Sequence, residues 1–178
     1  QFKQVQKKSA VFDEKKLLWI SQQHLSEMSV RDLMNEIYTL NPEWGDGLEW
    51  DYLKEVVKLI KDRSKTITEI ISMSEIFFKD KLEYDIDLLN KTFNDKSIAI
   101  IKDFQSALSS IEDWSRVEIE KIFEDIMEQH EVAIGQVMKP VRVAISGIPF
   151  GPGIFDLILL LGKEICQIRL RNALSVIQ

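Results

Sequence analysis

The sequence predicts an all-α protein, and three observations carry that expectation. Apolar residues recur at three- and four-residue spacing through most of the chain, the period of one helix face. Helix-opening residues stand ahead of these runs, among them Asp13, Ser29, Thr66, Asn94 and Ser115. No convincing alternation of apolar and polar residues marks a half-buried strand.

Taken in order, Asp13 is placed to cap a first helix that carries Leu17, Leu18, Ile20 and Leu25 toward a core. Ser29, followed by Asp32, opens a second with Val30, Leu33, Met34, Ile37 and Tyr38 on one face. Asn41-Pro42 stops it, because the residue before a proline disfavours helical geometry. Residues 42–47 form a turn-rich connection. A third helix over 48–62 is predicted from Leu48, Tyr52, Leu53, Val56, Leu59 and Ile60. Thr66 with Glu69 makes a capping box for a short helix bearing Ile67, Ile70 and Ile71. Residues 76–87 mix aromatic and charged residues without a clear period. A boundary placed there divides the chain into two helical subdomains, 1–80 and 81–178.

In the second half Asn94-Asp95 opens a long helix with Ile98, Ile101, Phe104 and Leu108 in register. Ser115 with Glu118 repeats the capping box ahead of Ile119, Ile122, Phe123, Ile126 and Met127. A short helix is expected after Pro140. Residues 147–153 read as a loop, with Pro152 in the first turn of the Leu-rich helix that follows. Gly162 breaks that helix before a last one over 163–176.

The composition narrows the function classes. The chain has 178 residues, 45% hydrophobic and 29% charged, enough to bury a core in one medium domain or two small ones. One cysteine, Cys166, excludes an internal disulfide and suits a reducing, cytoplasmic setting. With two well-separated histidines, a Cys/His zinc site is not expected. The longest apolar run, residues 154–161, is far short of the roughly 20 residues of a membrane span. The chain starts at Gln1 without an apolar leader, so no signal peptide is expected and a fragment of a longer protein is.

The net charge of −6 argues against nucleic acid, but its distribution does not. Residues 139–178 hold five basic residues (Lys139, Arg142, Lys163, Arg169, Arg171) against Asp156 and Glu164, a net +3, so the first 138 carry −9. Such asymmetry permits an anion-binding face on an acidic body.

Groups that could carry chemistry are few. His24 and His130 lack a flanking nucleophile or carboxylate pattern and read as polar helix surface. Cys166 reads as a packed thiol beside Ile165 and Ile168. The glycines of 147–153 lack the Gly-Lys-Ser/Thr ending of a phosphate loop, and no strand precedes them. Trp19, Trp44, Trp50 and Trp114 read as packing residues. Arg63, from spacing alone, is a cation at a helix C-terminus. Arg142, between Val141 and Val143, must either pair internally or reach a ligand.

The order of motifs resembles a known family. Ala10-Val-Phe-Asp-Glu-Lys-Lys-Leu-Leu-Trp-Ile20 is similar to the segment entering the anticodon-binding region of bacterial-type glutamyl-tRNA synthetases. Gly135-Gln-Val-Met-Lys-Pro-Val-Arg-Val-Ala-Ile-Ser-Gly147 resembles that family's Lys/Gln-Pro-Leu-Arg-Val-Ala-Leu-Thr-Gly signature. Gly151-Pro-Gly-Ile-Phe-Asp-Leu-Ile158, Leu161-Gly-Lys-Glu164 and Arg169-Leu-Arg-Asn-Ala-Leu174 resemble its C-terminal end. Asp51-Tyr-Leu53 and Lys61-Asp-Arg-Ser-Lys-Thr66 fit more loosely between them.

The resemblance implies the anticodon-binding portion of a glutamate–tRNA ligase, built as two helical subdomains in a cage. The His-x-Gly-His and Lys-Met-Ser-Lys-type motifs of class I synthetases do not occur in this chain. The resemblance therefore implies that ATP, magnesium and glutamate bind an N-terminal catalytic domain absent here, and that this chain holds no cofactor and is inactive alone. The implied partners are that domain and a glutamate-accepting tRNA, with no membrane partner, and the implied state is a monomer.

By the same resemblance Arg63 reads the third anticodon base, a cytosine, and leans against the guanine that ends glutamine anticodons. Arg142 is the second anticodon-contacting arginine, and Gly151, Pro152, Gly153 and Ile154 pack against the splayed bases. Ile148, Pro149 and Phe150 depart from the family pattern, and Phe150 is expected to plug the core rather than stack on a base. A different class of function is a helical protein-interaction module on the same scaffold without RNA reading, which the overall charge of −6 favours.

Overall fold

The computed structural model describes residues 13–177; the motif residues Ala10 to Phe12 lie outside them. Along the described chain run α1 (Glu14–Glu27), α2 (Val30–Leu40), α3 (Trp50–Ile60), a 3₁₀ turn (Lys61–Arg63), α4 (Ile67–Ser74) and a second 3₁₀ turn (Glu75–Phe77). These are followed by α5 (Ile86–Thr92), α6 (Asp95–Ser110), α7 (Arg116–His130), α8 (Ile134–Ser146) and α9 (Ile154–Ile177), with no strand among the described residues.

The helices begin where short polar side chains satisfy backbone N–H groups that have no intrahelical partner. Asp13 Oδ1 accepts from the Lys16 amide at 3.1 Å, Ser29 Oγ from Asp32 at 3.1 Å and Thr66 Oγ1 from Glu69 at 3.1 Å. Asn94 and Ser97 exchange bonds reciprocally, at 3.0 and 2.7 Å. Each such cap contributes about 1 kcal/mol. At Thr66 the expected return bond is displaced by one residue, since Glu69 accepts from the Lys65 amide.

α2, α3 and α4 pack on one another, and α6 to α9 form a second group that meets the first where α3 touches α9. Their buried apolar residues join in one cluster. Leu33, Met34 and Ile37 of α2 face Leu53, Val56, Val57 and Ile60 of α3, all at 1% exposure or less. Phe104 of α6 meets Phe123 of α7 edge-on, centroids 5.0 Å apart.

Several elements differ from the sequence expectation. On α1 only Leu25 is buried, while Leu17, Trp19 and Ile20 are 50%, 61% and 48% exposed. Periodicity marked an apolar stripe but not what covers it, and nothing in the described chain does. α5 was not anticipated. It spans only seven residues and buries one of them, Leu89. α8 starts at Ile134 and runs straight through Pro140. An interior proline costs roughly 3 kcal/mol, which the burial of Val137, Val141, Ala144 and Ile145 on this one helix outweighs. Pro152 precedes the cap of α9 instead of entering its first turn, because the Gly153 carbonyl accepts the first helical bond, from the Leu157 amide at 2.9 Å. Gly162, at φ 79° and ψ 164°, interrupts α9 as expected. Of the tryptophans, Trp44 is core and donates to Ser74 Oγ at 2.7 Å, and Trp114 donates to the Leu159 carbonyl at 3.2 Å. Trp19 and Trp50 are exposed.

Candidate nucleic-acid interface

Arg63 closes the 3₁₀ turn that continues α3, and it is exposed. Its neighbours take the helix-end roles that spacing suggested for it. Ser64 Oγ donates to the Ile60 carbonyl at 3.0 Å, and Lys61 Nζ reaches the Ser26 and Met28 carbonyls at 3.1 and 3.2 Å, at the C-terminus of α1. Among the described residues Arg63 joins no ion pair.

Arg142 is half-buried on α8, one turn from its C-terminus, and Nη1 donates to the Pro152 carbonyl at 2.8 Å. Burial pushes its guanidinium below the ordinary arginine value, and the charge of Arg63 pushes it the same way. The fold thus brings the two arginines within electrostatic reach of each other. Among the described residues Arg142, too, has no carboxylate partner. Two like charges held together without a counter-charge are destabilising, and a bound anion would relieve that.

The 147–153 loop closes over this pair. Gly151 sits at φ 134°, a conformation L side chains rarely adopt, and a Cβ there would stand 3.7 Å from Arg142 Nη1. At Gly153 a Cβ would approach Asp156 Oδ2 to 2.7 Å, so the start of α9 needs glycine for space. Pro152 is buried and Ile154 only 3% exposed, so their side chains serve the core and the loop offers backbone around Gly151. Phe150 is the correction in this loop. At 66% exposure it projects into solvent beside the arginines and plugs nothing. Nothing in its local sequence signalled this, because an apolar residue between Pro149 and Gly151 fits either role.

The surrounding charges are largely used up. Asp156 Oδ1 accepts from Arg116 Nη1 at 2.6 Å, and the Arg116 guanidinium lies over the Phe155 ring, 5.3 Å from its centroid. A groove of about 480 Å³ runs between α3 and α9, lined by Leu59, Asp156, Leu159 and Leu160 with Glu55 and Lys58 at its rim. Arg63 lies four residues beyond Leu59, and Gly153 stands against Asp156.

Arg169, counted in the basic segment, is not part of any anion-facing surface. It is 0% exposed and donates to the carbonyls of Ile145, Ile76, Lys79 and Asp80, tying the end of the second 3₁₀ turn to α8 and α9. His130 Nε2 lies 2.7 Å from Asp103 Oδ2, linking α7 to α6. Among the described residues no three His, Cys, Asp or Glu side chains gather into a group that could hold a metal ion, and no helix is long and apolar enough to cross a membrane.

Two unpaired guanidiniums, a close-approach glycine loop and an exposed aromatic ring define a helical binding module for an anionic ligand with unstacked bases. The anticodon binding domain family matches residues 23–174, and this chain belongs to it. The chain is similar to glutamate–tRNA ligase 2 of Thermoanaerobacter pseudethanolicus, 29% identical over 178 residues that cover 98% of this chain and 37% of that protein. It is similar also to the glutamate–tRNA ligase of Desulforudis audaxviator, 33% identical over 181 residues, 96% of this chain and 36% of that one. The crystal structure of a glutamate tRNA ligase from Elizabethkingia meningosepticum, in complex with its amino acid, shares the fold. It superposes with a TM-score of 0.80 at 23% identity, over 94% of this chain and 33% of that one. The chain thus spans little more than a third of the curated relatives it matches.

Proposed function

We propose that this chain is the anticodon-reading module of a glutamate–tRNA ligase, which positions glutamate-accepting tRNA for aminoacylation by a catalytic domain elsewhere in the parent protein. The observation that carries the reading is the convergence of Arg63 and Arg142 under the 147–153 loop. Cytosine presents N3 and O2 as acceptors, and a guanidinium is a donor-only fork that matches them. Arg63, exposed and without a carboxylate partner, reads the third base. Arg142, held by the Pro152 carbonyl, serves the other two, with the Gly151 backbone at close approach and Phe150 as a stacking face.

In this reading residues 1–80 and 81–178 are the two halves of the cage, working as a monomer in the cytoplasm. The exposed Leu17, Trp19 and Ile20 of α1 supply an apolar face for the rest of the ligase. ATP, magnesium and glutamate belong to that missing portion, so the chain alone carries out no ATP–pyrophosphate exchange.

The test is binding of glutamate tRNA to the chain across a salt series. Weak binding that falls steeply with salt is expected, because phosphate contacts release counterions. Salt-insensitive binding, or glutamate-dependent exchange by the pure chain, would contradict the proposal.

A further inference from the structure

A second basic feature lies away from the arginine pair, on the far half of α8. A cavity of about 300 Å³ opens between the end of α5, the start of α6 and the first turns of α8. Lys91, Lys96 and Lys139 line it together with Thr92, Ser97 and Gly135, and no carboxylate does. None of the three lysines joins an ion pair among the described residues, although the chain as a whole is acidic. Thr92 Oγ1 is buried without a hydrogen-bond partner, the one such side-chain atom among the described residues. A buried hydroxyl left unpaired costs free energy, and a concave site lined by three ammonium groups and hydroxyls suits an oxyanion. The cavity is also continuous with the arginine pair. Lys139 precedes Arg142 by three residues on α8, so the two side chains are neighbours on adjacent turns.

We infer that this cavity is a phosphate site, holding a backbone phosphate of the RNA strand whose bases reach Arg63 and Arg142. The inference rests on the proposed anticodon reading and adds to it. The bases are read at the loop end of α8, and the strand is anchored one or two turns away along the same helix. Such a contact carries affinity and register but no base preference.

The test compares the wild-type chain with the Lys91→Ala/Lys96→Ala double variant, measuring glutamate tRNA affinity over a salt series and with a substituted third anticodon base. Both lysines are exposed, and melting temperature confirms that the variant folds. The expected result is weaker binding to both tRNAs by the same factor, with the slope of log affinity against log salt shallower by about 2, one for each lysine. A second arm titrates inorganic phosphate while following the amide resonances of Thr92 and Gly135. Saturable shifts in the wild type that vanish in the double variant support the site. If the variant keeps the wild-type salt slope while Arg63→Gln still alters third-base preference, the backbone-phosphate assignment fails and the anticodon reading survives. Phosphate shifts together with an unchanged tRNA slope would identify free phosphate as the ligand and overturn the RNA assignment. If the wild type binds no tRNA at all, the anticodon reading fails and takes this inference with it.

Discussion

Arg142 Nη1 donates to the carbonyl oxygen of Pro152 at 2.8 Å, so one side chain of α8 holds the loop that leads into α9. The same bond leaves the other guanidinium donors beside Gly151 and Arg63. Loop position and anion affinity therefore depend on one residue. Arg142→Ala is expected to destabilise the chain by about 1 kcal/mol through the lost hydrogen bond. It should weaken tRNA binding without changing preference at the third base. Arg142→Lys should recover only part of the affinity, because a lone ammonium cannot reproduce the planar fork. Binding to tRNAs that differ only at that base, with melting temperature measured in parallel, checks both statements.

Arg169 gives the strongest stability prediction. Its guanidinium is fully buried, and four backbone carbonyls depend on it. Arg169→Met fills similar space but leaves those oxygens unsatisfied, which should cost at least about 3 kcal/mol. At 2–4 °C per kcal/mol for a chain of this size, the melting temperature should fall by roughly 6–12 °C. Arg171→Met, at an exposed position two residues on, should change stability by no more than about 0.5 kcal/mol. Similar melting temperatures for the two variants would refute the assigned role of Arg169.

Cys166 should be chemically silent in the folded chain. Burial pushes its thiol up to about 12, only partly opposed by the charge of Arg169, and the residue is 0% exposed. Alkylation at neutral pH should proceed only as fast as the chain unfolds. The sign of the pH effect follows from the raised value. Below its ordinary value of 9.0 the thiol is neutral in both the folded and the unfolded chain, and its contribution to stability is fully present. As pH rises from there toward about 12, the unfolded chain ionises first and that contribution is lost. Cys166→Ala should flatten this part of the alkaline stability curve, and denaturant midpoints at pH 8 and 10 measure it.

What was legible in the sequence was local. Asp13, Ser29, Thr66 and Asn94 announced their helices because a cap needs only its own next three residues. Helix faces with a built-in partner, such as Leu33, Met34 and Ile37, were legible for the same reason. Features set by the rest of the fold were not. The stripe on α1 reads as core until the structure shows it uncovered, and Pro140 reads as a helix start until burial around it is seen to prevail. Arg169 is indistinguishable from a surface cation until its carbonyl partners converge. At the interface, motif resemblance pointed to Arg63, Arg142 and the loop, but their approach to one another is a tertiary fact. So are the burial of Ile154 and the exposure of Phe150.

The most direct measurement is third-base preference in Arg63→Gln. The side chain is exposed at the end of a 3₁₀ turn, and Ser64 and Lys61 already serve the nearby helix ends, so the substitution should leave the melting temperature almost unchanged. If Arg63 donates to a cytosine there, its loss should cost about 1–3 kcal/mol against that base, or roughly 5–150-fold in selectivity. Discrimination against guanine should shrink at the same time, because glutamine both donates and accepts. Binding of the chain, and charging by the full-length ligase, are compared for glutamate tRNA and its third-base variant. A folded Arg63→Gln protein that discriminates as well as the wild type would contradict the role assigned to Arg63.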